Sequence, residues 1–218
     1  DEKAYYAGID GKNISGIEVR IFEENNANIP DTPQTPTGKH KIIDAPFISQ
    51  MPDYPTGCES VATVMALQHA GVHKTVLSFI NSYLYRTSLP FDPNISFGGD
   101  PRDTRNSYGC YSPVIKKALD KCFQSPEISF YKAVELKNVS LQQLCSDYID
   151  KDIPVIMWAT IDMKPWYNGD HWYYNGKKIQ WIAPEHCLLL VGYDDEHYIF
   201  NDPLKSKPFT YYKKAAVE

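Results

Sequence analysis

The sequence contains no apolar run able to cross a bilayer: stretches such as Cys187–Val191 fall far short of the roughly 20 residues a spanning helix needs. It has no basic excess either. Lys and Arg total 22 against 27 Asp and Glu, a net charge of −5, and no basic stripe offers the footprint that phosphate backbones or anionic lipids require. Nucleic acid and membrane surfaces are therefore poor partner classes. Zinc-type spacings of Cys and His are missing, so no metal site is expected. No Gly-rich phosphate or dinucleotide loop is present, Gly98-Gly99-Asp100 reading as a turn, and no cofactor is expected. Asp1-Glu2-Lys3 opens with charge rather than a signal-peptide pattern, which fits a mature or trimmed form.

What is there is an ordinary globular composition, 218 residues with 43% hydrophobic and 22% charged, enough to bury one sizeable core. Five cysteines are an odd number: two disulfides would leave one thiol, and in a reducing compartment all five could be free. Residues 1–41 hold one alternating strand-like run, Ile17–Phe22, and a Pro/Thr/Asn-rich loop or linker over Asn25–Lys41. A compact domain is expected over 42–218. Helix signals follow over Cys58–Ala70, ended by Gly71, then Lys74–Leu84, Ser112–Cys122 with Ser112 as N-cap before Pro113, and a capping box at Ser140-x-x-Gln143. Strands follow at Pro154–Thr160, a hairpin at Trp172–Trp181 turned by Asn175-Gly176, and a pair at His186–Tyr193 and Tyr198–Asp202. Helices first and strands afterwards predict an α+β fold with a cleft between two layers.

Cys58 opens a buried helix after a turn-rich segment, where the positive end of the helix dipole favours a thiolate. Cys122 and Cys145 on helices and Cys187 in a strand read as inert core thiols. His186 begins the most apolar strand and needs a polar partner. If that strand and the next form a hairpin with an odd-numbered loop, Asp202 lies on the same face as His186, opposite or one diagonal step away. The acid would then orient the imidazole, whose other nitrogen would take the proton of Cys58. Gln50, across a Pro-rich turn, could return its amide beside the Cys58 backbone N–H and face a tetrahedral oxyanion. Singly, each has a plainer reading: a small buried thiol, a satisfied core histidine, a strand-ending turn, a solvated loop amide.

The order Gln50, Gly57-Cys58-Glu59-Ser60, Glu185-His186-Cys187-Leu188-Leu189-Leu190-Val191-Gly192-Tyr193-Asp194 and Asn201-Asp202-Pro203 resembles the C39-like cysteine peptidases, a papain-like branch related to bacteriocin double-glycine leader peptidases. The resemblance spans about Ile42 to Phe209. It implies a papain-like fold, helical part first with the nucleophile Cys58, sheet second with the base His186 and orienting acid Asp202, and Gln50 in the oxyanion hole. It also implies a peptide or protein substrate and an extracellular or cell-surface setting in a bacterium. Leader peptidases usually carry Asp before the cysteine and Gly after it, whereas Gly57 and Glu59 flank Cys58, so leader specificity does not carry over.

Two other functions remain open from sequence: a catalytically idle module binding peptide or cell-wall polymer on a Trp166, Trp172 and Trp181 surface, and an acyltransferase using the same nucleophile. The segments expected to set specificity are Phe91–Tyr111 and the aromatic hairpin Trp166–Trp181.

Overall fold

The most apolar strand of the sequence becomes the spine of the molecule. In the computed structural model, which describes residues 40–218 and the backbone course of 14–21, β9 (Glu185–Tyr193) is buried at every position after Glu185. Such a strand must be covered on both edges and both faces. Its edges are taken by β10 (His197–Asn201) on one side and by β6 (Val155–Thr160) and the short β2 (Lys41–Ile42) on the other. The full antiparallel sheet runs β11 (Thr210–Lys213), β10, β9, β6, β1 (Ile14–Ile21), β5 (Tyr131–Val139).

Helix α1 (Cys58–His69) packs across β9 and is buried from Cys58 through Leu67, as expected of a helix apolar on several faces. Gly71, at φ +85°, stops it: the Val72 N–H reaches the Leu67 carbonyl and the Gly71 N–H reaches Gln68, satisfying the last carbonyls. The second helix, α2 (Val76–Ser82), starts from a Thr75 capping box, and α4 (Leu141–Asp147) starts from the expected Ser140–Gln143 box. The α3 helix (Ser112–Cys122) begins one residue earlier than read. Tyr111 is its N-cap, and the Ser112 hydroxyl bonds Glu135 of β5 at 2.5 Å instead of capping the helix. A tertiary partner outcompetes the local bond.

Two strands of the sheet nevertheless stand outside the simple order of helices followed by strands: β1 precedes the helices and β5 lies between α3 and α4. The strand read at Ile17–Phe22 is thus a sheet strand over its described part. Residues 22–39, most of the predicted loop, lie outside the described residues. The aromatic hairpin forms as β7 (Tyr167–Tyr174) and β8 (Lys177–Ala183), with Asn175 and Gly176 both at positive φ in the turn. Besides β5, the sequence reading missed the short strands β2, β3 (Arg86–Thr87), β4 (Phe97–Gly98) and β11, the helix α5 (Lys214–Val217) and three single 3-10 turns.

The β9–β10 register departs from expectation in an instructive way. Tyr193 pairs with Tyr198 across a four-residue loop, an even number that would put His186 and Asp202 on opposite faces. A bulge at Val191 corrects this. Gly192 pairs with Ile199 but Leu190 pairs with Phe200, so one extra residue on β9 restores the parity. Extrapolated past Asn201, Asp202 stands opposite Leu188, one diagonal step from His186.

Close to the bulge, Gly192 lies against β2: a Cβ there would sit 2.4 Å from the Lys41 carbonyl oxygen, a backbone atom with little freedom to yield. Gly192→Ala is expected to cost about 1–3 kcal/mol through overpacking, read as a lower urea midpoint with an unchanged m-value.

Candidate active site

The site assembles where the N-terminus of α1 meets β9 and the turn after β10. His186 is 1% exposed and its Nε2 lies 2.7 Å from Asp202 Oδ1, the only imidazole–carboxylate pair among the described residues with both side chains almost wholly buried. Asp202 is itself well supplied: Oδ1 also accepts the Leu204 N–H at 2.9 Å, and Oδ2 accepts the Tyr212 hydroxyl at 2.7 Å. Burial raises the Asp202 pKa, but the bonds and charge of His186 with those of Tyr212 and Leu204 outweigh it and hold the carboxyl below its ordinary value. Since Nε2 is engaged by Asp202, Nδ1 is the nitrogen left to meet a reacting group.

Gln50 is 2% exposed and joins the same turn, its N–H reaching the Pro203 carbonyl at 2.8 Å. The side chain folds across the Pro-rich turn, one Nε2 hydrogen donating to the Pro55 carbonyl at 2.8 Å. Asn201 locks the arrangement: its amide donates to the Ala45 and Pro46 carbonyls and its oxygen accepts the Phe209 N–H. Cys58 is the first residue of α1, so its backbone N–H has no intrahelical acceptor.

Cys58 itself is placed differently from the simple expectation. The residue is 6% exposed, and its Sγ–H hydrogen bond goes to Glu59 Oε2 at 3.4 Å rather than to His186. Burial pushes the Cys58 thiol well up, Glu59 and Glu185 push it further, and only the Cys187 backbone N–H pulls it back. The helix dipole alone therefore does not make a thiolate here. A dipole end contributes about 0.3–1 kcal/mol near a surface, less than the several kcal/mol that desolvating an anion costs.

Two residues of the site went unassigned from sequence. Glu59 is fully buried; its Oε1 accepts the Cys110 N–H at 2.6 Å and its pKa is raised to about 7, chiefly by burial. Glu185 is part-buried, with Oε1 shut from solvent and without a hydrogen-bond partner, and burial and Glu59 raise its pKa well above the ordinary value. One donor atom from each of Cys58, Glu59 and Glu185 lies within 4.8 Å of the others. Both acids sit beside residues the motif already marked, but a glutamate in a helix's first turn ordinarily complements the dipole from solvent, so only tertiary burial reveals its position. All five cysteines are free and buried, and burial raises the pKa of Cys110, Cys122, Cys145 and Cys187.

Beside the acids, the two segments expected to shape specificity pack on one another. Phe91 stacks on Trp172 at 4.8 Å, Tyr111 stacks on Trp181 at 5.6 Å, and Tyr108 lies between the two tryptophans. Trp181 is buried and Trp172 half-buried, so the exposed aromatics here are Trp166, Tyr167 and Tyr173, not a surface of three tryptophans.

A curled antiparallel sheet packed against a buried helix, with this Cys, His and Asp order, defines a papain-like α+β architecture of the C39-like peptidase type. Residues 42–218 match the Peptidase_C39 like family, and the chain belongs to it. It is 24% identical over 207 residues to the uncharacterized protein YvpB of Bacillus subtilis (strain 168), covering 89% of this chain and 80% of that protein. It also superposes with a TM-score of 0.69 on a crystal structure from Bacillus anthracis provisionally described as a C39-like peptidase. That match is 26% identical and covers 80% of this chain and 88% of the other. No helix among the described residues is long and apolar enough to cross a membrane.

A carboxyl whose pKa is depressed on folding contributes stability that is present above its unfolded value and lost as pH falls through the folded one. Tyr212→Phe strips one bond from buried Asp202 Oδ2, and an unsatisfied buried acceptor costs about 1–3 kcal/mol. The variant is expected to be less stable at neutral pH, with a smaller acid-dependent loss of stability that levels off at a higher pH than in wild type, as followed by urea denaturation at a series of pH values.

Proposed function

We propose that the chain is a cysteine peptidase in which Cys58 is the nucleophile, His186 the base, Asp202 the orienting acid, and Gln50 with the Cys58 N–H the oxyanion hole. The observation that carries this reading is the buried 2.7 Å contact between His186 Nε2 and Asp202 Oδ1, which orients the imidazole and leaves Nδ1 as the ring nitrogen available to Cys58 at the start of α1. In the working state the Cys58 side chain turns from Glu59 to His186 Nδ1 and gives up its proton. An imidazolium beside the sulfur supplies the counter-charge that the dry site otherwise lacks.

The thiolate attacks the peptide carbonyl, and the oxygen that becomes negative is met by the Cys58 N–H and the second Nε2 hydrogen of Gln50. His186 passes its proton to the leaving amine as the C–N bond breaks, leaving a thioester. Water, deprotonated by His186, attacks the thioester; the acid product leaves and the thiol recovers its proton. Peptide chains are favoured as substrates by family membership and by the exposed Trp166, Tyr167 and Tyr173 in and next to the β7–β8 hairpin.

A peptide-library digest tests this directly. Wild type is expected to release cleavage products that Cys58→Ala and His186→Ala do not, and Gln50→Ala is expected to lower kcat by roughly 10²–10³-fold, the usual loss for one oxyanion donor. Iodoacetamide at near-neutral pH should label Cys58 ahead of Cys110, Cys122, Cys145 and Cys187, an advantage that His186→Ala removes. Identical digests from wild type and Cys58→Ala would instead favour a binding module.

A further inference from the structure

Glu59 and Glu185 present a physical problem that a peptidase triad does not require. Two carboxyl groups meet in a site where no Lys, Arg or His offsets them: what acts on Glu185 is burial and Glu59, and what faces Glu59 is its own backbone, the Cys58 and Cys110 side chains and the Cys110 N–H. The remaining titratable neighbour, Cys187 on β9, is a neutral thiol raised by burial. Like charges this close in a low dielectric do not both persist; one group keeps a proton.

The surroundings are built around the pair. Gly109, at φ +144°, has no Cβ, and one placed there would lie 2.6 Å from Glu59 Oε1 and 3.2 Å from Glu185 Oε2. The backbone of the specificity segment thus makes room for both carboxyl groups. Glu59 then spans two parts of the site, taking the Cys58 S–H on Oε2 and the Cys110 N–H on Oε1, while the Cys110 carbonyl accepts Trp158 Nε1–H from β6 at 2.8 Å. Glu185 Oε1 is buried with no hydrogen-bond partner, a placement that costs far more for a carboxylate than for a neutral carboxyl.

We propose that Glu59 and Glu185 share one proton, and that this acid pair is a positioning device that holds Cys58 as a neutral thiol at rest and sets the pH at which it ionises. The inference rests on the peptidase reading only for the reaction it gives Cys58. With the proton in place the sulfur faces one negative charge. Glu59, raised to about 7, is the first of the two to ionise, while Glu185, raised well above its ordinary value by burial and by Glu59, keeps the proton; once Glu185 loses it the sulfur faces two negative charges and its ionisation becomes harder. The acids therefore restrain the nucleophile until His186 supplies the opposite charge.

Two readouts on the intact chain test this without requiring cleavage. Difference infrared spectroscopy should show a carboxylic acid C=O band persisting at pH 7 and above, where ordinary Asp and Glu are ionised, and the part of the band that persists above pH 7 should be lost in Glu185→Gln. Iodoacetamide labelling of Cys58 followed against pH should shift to a lower midpoint in Glu185→Gln, the gain appearing at the alkaline pH where wild type loses the shared proton and its sulfur faces a second negative charge. A wild type without a protonated carboxyl at pH 7, or a midpoint unmoved in Glu185→Gln, overturns the proposal. If Glu185→Gln does not fold, Glu59→Gln carries the same two measurements, and the wild-type infrared result stands without any variant. Failure of the peptide digest with these shifts intact would count against the peptidase reading alone.

Discussion

The parity of β9 against β10 governs everything at the site. A strand pair has two faces, and a single residue of slip transfers every side chain to the other one. Here the turn has the wrong parity, and the extra residue at Val191 reverses it, so that His186 and Asp202 share a face and meet at 2.7 Å. The bulge is held from outside the pair: the Ile43 N–H bonds the Val191 carbonyl at 2.7 Å, and Gly192 lets β2 lie against the strand. The first described residues of the 40–218 segment thus act on the site through sheet register, without approaching it.

From that pair the remaining polar groups follow by the need to satisfy buried atoms. Asp202 cannot stay ionised in the dry turn on one imidazole alone, so Tyr212 and the Leu204 N–H take its other lone pairs. Asn201 and Pro203, on either side of it, carry the hydrogen bonds that bring the Ala45–Gln50 arm over the turn. Gln50 reaches the site because its backbone is tied to the residue after Asp202. One short turn therefore fixes the acid, the histidine and the amide together, and α1 completes the site by packing its first turn against β9.

The elements legible from sequence are those whose signal is local. Gly71 as a left-handed stop, the Ser140–Gln143 box, the Asn175-Gly176 turn and the buried character of α1 each depend on a few adjacent residues, and each is found in place. What escaped depends on distant partners. Ser112 looks like a cap until Glu135 is brought beside it, and Tyr131–Val139 joins the sheet only because β1 pairs along it. Gln50, His186 and Asp202 could be nominated because alternation and spacing place them, whereas the bulge that unites two of them leaves no local mark. Glu59 and Glu185 stood in the quoted motifs, yet their burial arises from Gly109 and the aromatic stack, and neither is adjacent to them in the chain.

The same magnitudes that decide the fold decide the chemistry. The end of α1 offers Cys58 a fraction of a kcal/mol to about 1 kcal/mol toward ionisation, while burial and two neighbouring acids oppose it by more. A nucleophile in this position is therefore inert unless a positive charge comes within contact, and no Lys or Arg is among the influences on Cys58. In the proposed mechanism the cation is an imidazolium at His186, already oriented through the Nε2 contact with Asp202. Ionising sulfur and histidine as a pair moves one proton a short distance and creates no net charge, which a dry site tolerates far better than a lone thiolate. On the proposed reading, reactivity at Cys58 is thus a property of the Cys58, His186 and Asp202 arrangement taken together, and the placement of a cysteine at a helix N-terminus supplies only the smallest part of it.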